Sequence, residues 1–476
     1  MIKSCSVLRY CIRPASSRFY ATGLTDISKL HSQILTVEDV REKLRENVQY
    51  RQRFRYPPTP WPANHPQEVK AIQCDLPTRR PLDSFVSCFV PMDDPRERMR
   101  YLDHGGGLRL GRFLEDLDIL AGVICYKHDL NPALEGVDNG KSPYAFMTVL
   151  VDSIELMKNQ PALTDDKDVY LNGKVTWVGT SSVECTMNIE QEVDGTIEKI
   201  MVAKYIMVAR NPATNSAGVV NPLLLETMQD LHTYNLAEDN RLRRQEQEKR
   251  SLLKTPPTQE EKEHLHDMFL ATKELTALSA KRSHLPGHCV WMKDTALRSV
   301  ITCYPEDGSV YNKIFGGFTM RKAHELATAT ASAFSHSHVT LCRSIDDVHF
   351  LKSVDIGDQL RLQSMVVHTS GSEVQVYVRA EKFNTEKKTG EMTNDFHFTF
   401  DTGVDNLRTV IPKTYSEALM YLCARRYKSV QTPTDAAEQR TRIPHNDQIM
   451  RYQFLLKAYG TVLRHQTKAA HLPIGQ

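Results

Sequence analysis

The amino-acid sequence predicts an α+β fold of two similar units in tandem, each a long helix wrapped by a curved antiparallel sheet. The first observation is a repeated order of elements. A helical pattern at 110–128 precedes four strand-like runs, and a second helical pattern at 316–334 precedes four more. The runs are rich in Val, Ile, Thr and aromatic residues and partly alternate apolar with polar positions. Packing one helix against a sheet that curls around it is the most economical arrangement of these elements.

The second observation is the spacing of matching residues in the two blocks. Gly111 and Gly317 lie near the start of their helices and are 206 residues apart. Asp152 and Asp346 lie in matching strands and are 194 residues apart. These similar spacings indicate an internal duplication.

The first segment of the chain differs in composition from the rest. It is rich in Ser, has no acidic residue before Asp26 and contains the basic residues Lys3, Arg9, Arg13 and Arg18. Because a continuous apolar stretch is missing, this composition is typical of a mitochondrial transit peptide and not of a secretory signal. We predict a leader over residues 1–20, and therefore a mitochondrial protein, in the matrix.

The remaining boundaries follow changes in composition. An arm with a helix near 37–54 and a Pro-rich stretch leads into the first unit, and a charged helical linker separates the two units. Thr258 and Glu261 have the spacing of a capping box in that linker. We interpret the charged linker as a solvated surface without chemistry. The predicted segments are 21–80 (arm), 81–215 (first unit), 216–288 (linker), 289–415 (second unit) and 416–476 (C-terminal extension).

Charge and cysteine content exclude several classes of function. The formal net charge is +2, which gives no reason to expect a nucleic-acid partner. No apolar run approaches the roughly 18 residues of a transmembrane helix. The ten cysteines form no CxxC motif, which favours free thiols in a reducing compartment. The "HLH" and "HSH" pairs have no second ligand pair, so we predict neither a metal nor a cofactor.

The second predicted helix has many small residues in its second half. Alanines at 327, 329, 331 and 333 allow close approach of neighbouring backbone, as a helix enclosed by a sheet requires. An apolar stripe on the same helix is formed by Met320, Ala323, Leu326 and Phe334. The stripe would also suit an ordinary amphipathic core helix.

Several segments, in order along the chain, resemble one family. "VTWVGTSSVE", "NKIFGGF" and "SIDDVHF", together with the helix openings "GRFLEDLDILAG" and "FGGFTMRKAHELATA", resemble the double-hotdog acyl-CoA thioesterases and their mitochondrial subgroup. The resemblance covers roughly residues 80–415. It implies tandem hotdog domains, hydrolysis of acyl-CoA to fatty acid and coenzyme A without a cofactor, and a homo-oligomer of double-hotdog subunits.

The resemblance also implies a catalytic acid seven residues after the second glycine of a helix start. Counted from Gly111, that position is Asp118. The helical wheel supports it, because Asp118 falls at the edge of the apolar face, where a carboxylate is partly desolvated. Glu115 and Asp116 point further away from this face, so we interpret both as surface charges.

A glycine pair, Gly316–Gly317, opens the second helix. A helix N-terminus offers free N–H groups and a positive dipole end, and glycine lets a thioester carbonyl approach closely. A tight turn would also explain the pair. With the resemblance, Gly316 and Gly317 are the predicted oxyanion end, and Asn312 matches the asparagine with which the family orients water or the carbonyl.

Each block keeps only half of such a site. In the second block the position equivalent to Asp118 is His324, followed by Glu325, which points away from the apolar stripe. The first block has "DHGGGLRL" before its helix and no asparagine there. The simplest hypothesis is one composite site, with Asp118 from the first unit and Asn312 and the glycine pair from the second. His324 and Glu325 would mark a degenerate second position.

Two other functions fit the same pattern. A hotdog hydratase or dehydratase acting on acyl-CoA pairs an Asp with a His across the interface, which would make His324 or His104 central. A non-catalytic scaffold would bind acyl-CoA without releasing its thiol. Product analysis separates these hypotheses, because only hydrolysis yields free coenzyme A thiol.

Overall fold

The structure is a computed structural model that describes residues 35–47, 73–103, 107–131, 142, 144–156, 163–211, 214–252, 254–277, 285, 287–308, 313–338, 340–385 and 388–431. The predicted leader and most of the C-terminal extension lie outside these residues. The chain divides into one compact unit, Met1–Ala424, and a second, Arg425–Gln476. The predicted boundaries at 81–215 and 289–415 stay predictions, since both blocks fall within the first compact unit.

The first half contains the arm, one long helix and its strands. The elements are β1 (Leu35–Thr36), α1 (Val37–Asn47), β2 (Val86–Val90), α2 (Pro95–Tyr101), α3 (Leu110–His128), β3 (Ala145–Leu156), β4 (Val169–Val178), β5 (Ser182–Val193) and β6 (Thr196–Arg210). The linker forms α4 (Met228–Lys249) and α5 (Gln259–Ala277). The predicted first helix and its four strands are α3 and β3 to β6.

The second half repeats this order. Its elements are β7 (Cys289–Trp291), β8 (Leu297–Thr302), α6 (Gly316–Ser335), β9 (Leu341–Phe350), β10 (Gln359–Ser370), β11 (Glu373–Asn384), β12 (Thr389–Asp401), β13 (Thr409–Ile411) and α7 (Tyr415–Gln431). The predicted second helix and its four strands are α6 and β9 to β12. The short strands β1, β2, β7, β8 and β13 were not predicted.

One large sheet joins the two halves. Within the described residues it has eleven strands in the order β1-β2-β4-β5-β6-β3-β9-β12-β11-β10-β8. The central strands β3 and β9 pair antiparallel, with Ser153 opposite Asp346 and Val151 opposite Val348. The matching strands identified from the repeat therefore meet at the centre of the sheet, which confirms the predicted α+β fold.

The two long helices cross where each has a glycine. A Cβ on Gly111 of α3 would lie 3.3 Å from the backbone oxygen of Arg321, and a Cβ on Gly317 of α6 would lie 2.8 Å from Cα of Glu115. Glu115 and Arg321 occupy equivalent positions in the repeat, and their side chains form an ion pair of 3.2 Å, Oε2 to Nε. The helices thus pack backbone to backbone about a pseudo-twofold axis.

The alanines of α6 only partly face the core. Ala323, Ala327 and Ala331 are fully buried, because a spacing of four places them on one face of the helix. Ala329 and Ala333 are exposed. The prediction of close approach was therefore right for Ala327 and Ala331 and wrong for the other two.

The interpretation of Asp116 and Glu115 as surface charges was wrong. Asp116 is only 2% exposed. Its carboxylate forms an ion pair with Arg41 of the arm helix α1 and accepts a 2.6 Å hydrogen bond from the Tyr101 hydroxyl. Glu115 pairs with Arg112 and Arg321. The wheel failed because α1 and α6 cover faces of α3 that would be exposed in an isolated helix.

The charged linker contacts the outside of the first half of the sheet. Arg244 of α4 pairs with Asp152 of β3 at 2.7 Å, and Asp152 is 8% exposed. Trp177 donates a 2.8 Å hydrogen bond to Glu238. The capping box at the start of α5 is confirmed, since the Thr258 and Glu261 side chains each accept from the other's backbone N–H. The linker is therefore a partly buried cover and not a fully solvated surface.

Candidate active site

The two halves meet at the carboxylate of Asp118. This residue lies on α3 and is 6% exposed. Its Oδ1 accepts a 2.5 Å hydrogen bond from the Thr148 hydroxyl of β3, and its Oδ2 accepts a 2.8 Å hydrogen bond from the Gly317 N–H of α6. Both oxygens are therefore held in place, one by each half of the chain.

Burial dominates the electrostatics of Asp118. Desolvation raises the pKa of its carboxyl, while the hydrogen bonds from Thr148 and Gly317 act in the opposite direction. The negative charge of Glu115 adds a smaller upward contribution to the pKa. A carboxylate in this environment is more basic than a solvated one, which suits a group that accepts a proton or attacks a carbonyl.

The helix start at Gly316–Gly317 lies directly against this carboxylate. A Cβ on Gly316 would meet Phe350 Cε1 at 2.9 Å and Asp118 Oδ2 at 3.4 Å. A Cβ on Gly317 would lie 2.9 Å from Asp118 Cβ. The glycines are needed because any side chain here would push α6 away from α3 or from Phe350, so the pair is more than a turn signal.

The structure brings three of the predicted site residues together. The predicted residues His324 and Glu325 lie elsewhere, at the equivalent position of the other half. Asp118, Gly316 and Gly317 are in contact, whereas Asn312 lies outside the described residues. The Gly317 N–H donates to Asp118, so it holds the carboxylate in this state. The oxyanion role of the glycine pair stays a prediction.

His324 and Glu325 occupy the other pseudo-equivalent position. His324 is 7% exposed, with its ring 5.5 Å from that of Phe398 and 5.8 Å from that of Phe400. Burial lowers the pKa of His324 to about 4, so the ring is neutral at physiological pH. Glu325 pairs with Arg109 and Lys322 at its partly exposed end. This position offers a neutral imidazole ring where the first offers a carboxylate.

Sequence reasoning missed two residues of the site, Thr148 and Phe350. Thr148 directly follows the apolar residues Phe146 and Met147 in β3, and a polar residue at that point of the strand was the available signal. Phe350 ends the "SIDDVHF" segment, which was interpreted as a strand of the repeat and as a family segment, without a role for its phenylalanine. The contacts of Thr148 with Asp118 and of Phe350 with Gly316 depend on how β3 and β9 pack against the helices. The spacing of residues along the sequence does not reveal this packing.

Replacing Thr148 with Val should change the pH dependence of the reaction. The substitution keeps the side-chain volume but removes a hydrogen bond that lowers the pKa of Asp118. Because protonated Asp118 is inactive as a base, the loss of kcat on acidification should begin at higher pH than in the wild type. We expect kcat to fall about tenfold at neutral pH, as for one charge-assisted hydrogen bond.

The control is Thr176→Val, which changes a buried threonine that bonds to Glu184 on another part of the sheet. An unchanged or lower midpoint in the Thr148 variant would contradict the assigned contact.

Among the residues described by the structure, no group of three His, Cys, Asp or Glu side chains is arranged to hold a metal ion. Within the same residues, no helix is long and apolar enough to cross a membrane. The cysteines with described side chains are free thiols.

Comparison with known proteins defines the class. Residues 311–388 match the model of the thioesterase superfamily. This segment contains the helix start that contacts Asp118, in a fold of two helices on a continuous antiparallel sheet. Fold and match together define a hotdog thioesterase with two fused hotdog halves.

Relatives that are similar over most of the chain identify the family. Mitochondrial acyl-coenzyme A thioesterase 9 of Bos taurus is 35% identical over 444 residues, which is 90% of this chain and 97% of that protein. The Homo sapiens protein of that name is 36% identical, over 83% of this chain and 88% of its own length. Mitochondrial acyl-coenzyme A thioesterase 10 of Mus musculus is 37% identical, with coverages of 75% and 80%. The chain belongs to the family of mitochondrial acyl-coenzyme A thioesterases.

Proposed function

We propose that this protein hydrolyses acyl-CoA thioesters to free fatty acid and coenzyme A at one composite site between its two halves. Asp118 supplies the carboxylate from the first half, and Asn312 with Gly316 and Gly317 supplies the hydrogen-bond donors for the thioester carbonyl oxygen from the second. The observation that carries the proposal is the hydrogen bond from the Gly317 N–H to Asp118 Oδ2. Of the two equivalent positions, Asp118 and His324, only Asp118 is an acid, and this hydrogen bond joins it to the start of α6 in the second half.

The proposed chemistry uses the described positions of Asp118, Gly316 and Gly317. The thioester carbonyl oxygen accepts hydrogen bonds from N–H groups at the start of α6, next to Asp118. Asp118 accepts a proton from water while the water oxygen bonds to the carbonyl carbon. Alternatively, Asp118 attacks that carbon itself, and after the thiol has left, water hydrolyses the resulting acyl–aspartyl anhydride to free fatty acid and the restored carboxylate. The carbon–sulfur bond then breaks, and the coenzyme A sulfur leaves and takes up a proton. Asn312 orients the water or the carbonyl.

The contacts of Asp118 favour hydrolysis over hydration. A hydratase site pairs an acid with a histidine, but the described hydrogen bonds of Asp118 run to Thr148 and Gly317. His324 lies in the other pseudo-equivalent position against Phe398 and Phe400. A neutral imidazole buried against these two aromatic rings is poorly placed to share a substrate with Asp118.

A thiol-release assay tests the function. The purified protein is mixed with saturated acyl-CoA esters of increasing chain length, and free thiol is measured with a chromogenic disulfide. The same reactions with enoyl-CoA are analysed for a hydrated thioester. We expect thiol release with at least one chain length. A hydrated product without thiol release would establish the hydratase, and binding without either product would establish a scaffold.

Within the mitochondrion we propose the matrix as the location. The support is the Arg- and Ser-rich, acid-free composition of residues 1–20. Sequencing the N-terminus of protein recovered from the matrix fraction checks this. A protein that still begins at Met1, or that fractionates with another compartment, would contradict it.

We also propose that the subunit forms a homo-oligomer. The support is the edge strand β8, where Val300 is 62% exposed and Leu297 is 36% exposed. Open edges with apolar side chains pair readily with other chains. Light scattering of the purified protein should give a multiple of the subunit mass, and a monomer at assay concentration would refute the proposal.

A further inference from the structure

We infer that Lys313, Lys352 and Lys382 form the site that receives the phosphate groups of the coenzyme A nucleotide. The inference rests on the proposed function, because it assigns the part of the same substrate that lies away from the thioester. These three ammonium groups are held together by Asp355 and Glu391 at one end of the second half. We call these five residues the lysine row.

The register of the sheet places the lysine row beside the candidate active site. Phe350, which lies against Gly316, pairs with Asn394, and Asn394 pairs with Ala380. Two residues further along β11, Lys382 pairs with Glu391. Since a strand advances about 3.4 Å per residue, this pair lies about 7 Å along the sheet from the row that contacts the helix start.

The other two lysines pair with the same two carboxylates that Lys382 contacts, Asp355 and Glu391. Lys352 follows Phe350 by two residues, and its Nζ lies 3.0 Å from Glu391. Lys313 stands three residues before Gly316 and pairs with Asp355. The Ile314 N–H donates to the Val354 oxygen at 2.9 Å, which fixes this segment against the connection between β9 and β10. The lysine row therefore joins the segment just before the glycine pair to the ends of β9, β11 and β12 that lie next to it.

Charge and exposure suit an anionic ligand. Three ammonium groups and two carboxylates leave the lysine row with a net positive charge. The neighbouring Asp358 is 4% exposed and accepts the Asp355 N–H, so it faces the backbone and not the ligand. The side chains of Lys313 and Lys352 are 38% and 52% exposed, and that of Lys382 is 20% exposed. Phosphate oxygens can replace the carboxylates as partners without burying a charge.

The position also fits the shape of the substrate. Coenzyme A carries its phosphates at the far end of a flexible pantetheine arm, so the charged groups bind outside the reacting centre. Lys382 lies on the same face of β11 as Val378 and Ala380, which are fully buried. The apolar interior therefore changes to a basic rim along a single strand face, as a substrate with an apolar acyl group and an anionic nucleotide requires.

The test compares substrates with and without phosphates. Lys352→Ala, Lys382→Ala and the double variant are assayed with acyl-CoA and with the acyl-pantetheine thioester of the same acyl group. We expect the ratio of kcat/KM for acyl-CoA to that for acyl-pantetheine to fall about tenfold per lysine. The loss should appear in KM, because the phosphates do not change during the reaction. Acyl-4′-phosphopantetheine then shows which phosphate is bound.

The matched control is Lys167→Ala, which removes a lysine of similar exposure that pairs with Glu192 in the first half. It should keep the wild-type ratio. An unchanged ratio in both lysine-row variants would overturn the inference, while thiol release by the wild type would leave the proposed function standing. Binding of adenosine 3′,5′-bisphosphate, measured by calorimetry, tests the lysine row without any hydrolysis. Its loss in the double variant supports the inference, and wild-type affinity there refutes it.

Discussion

Asp118→Asn should lower kcat by about two orders of magnitude or more, the scale typical of removing a general base. The variant keeps the shape of the side chain. Its amide oxygen can still accept the Gly317 N–H, and its amide nitrogen can donate to the Thr148 hydroxyl, which also accepts. The fold and the substrate affinity should therefore survive, and the loss should appear in kcat with KM little changed.

His324→Gln is the matched comparison, because it changes the equivalent position of the other half. Glutamine removes the imidazole, which is neutral and packed against Phe398 and Phe400. Thiol release should stay close to that of the wild type. Steady-state kinetics and circular dichroism of both variants give the result. If His324→Gln costs more activity than Asp118→Asn while both are folded, the wrong helix has been chosen, and hydration becomes the favoured reaction.

The pH dependence of the wild type provides a further check on Asp118. Its carboxyl has a raised pKa because it is buried, and it must be ionised to act. Activity is therefore lost as the pH falls through that raised pKa. A carboxylate acting from a solvated position would lose activity only at lower pH.

Repetition within the chain is what made the fold and half of the site predictable. The spacing of Gly111 and Gly317 identified the two helix starts, and the same spacing related Asp118 to His324. These positions keep their relation because the two halves are related by a pseudo-twofold axis. The glycines also indicate close packing at the helix starts, because a Cβ at Gly111 or Gly317 would overlap the backbone of the other long helix.

The missed features depend on contacts between elements distant in sequence. Asp116 becomes buried because Tyr101 and Arg41 pack against it, and Arg41 lies in the arm, 75 residues earlier in the sequence. Thr148 becomes part of the site only when β3 lies under α3. The lysine row requires the register of β11 against β12. A helical wheel treats each helix as isolated, so it cannot supply partners that arrive from other elements.

Gly317→Ala should reduce both the stability and the activity, although alanine is the better helix former. In an exposed helix the substitution would stabilise by about 1 kcal/mol. Here the new Cβ would lie 2.8 Å from Cα of Glu115, which is backbone and cannot rotate away. We expect a net loss of about 1–3 kcal/mol in the free energy of unfolding, as for overpacked cores.

The effect on activity should be larger than the effect on stability suggests. Separating α6 from α3 lengthens the hydrogen bond between the Gly317 N–H and Asp118 Oδ2, now 2.8 Å. A displacement of about 1 Å at a reacting group can cost about a hundredfold in rate. We therefore expect kcat to fall by about that factor while the protein remains folded, as measured by thiol release beside thermal unfolding.

Two control substitutions at other glycines test whether the loss of stability follows the severity of the overlap. A Cβ on Gly111 would lie 3.3 Å from the Arg321 oxygen, a milder overlap at the pseudo-equivalent contact, so Gly111→Ala should lose less stability and much less activity. A Cβ on Gly390 would find its nearest atom at 3.7 Å, an ordinary contact, so Gly390→Ala should be close to neutral. If Gly317→Ala instead raises the unfolding temperature and keeps full kcat, the helices are not packed backbone to backbone, and a site shared between the two halves loses its structural basis.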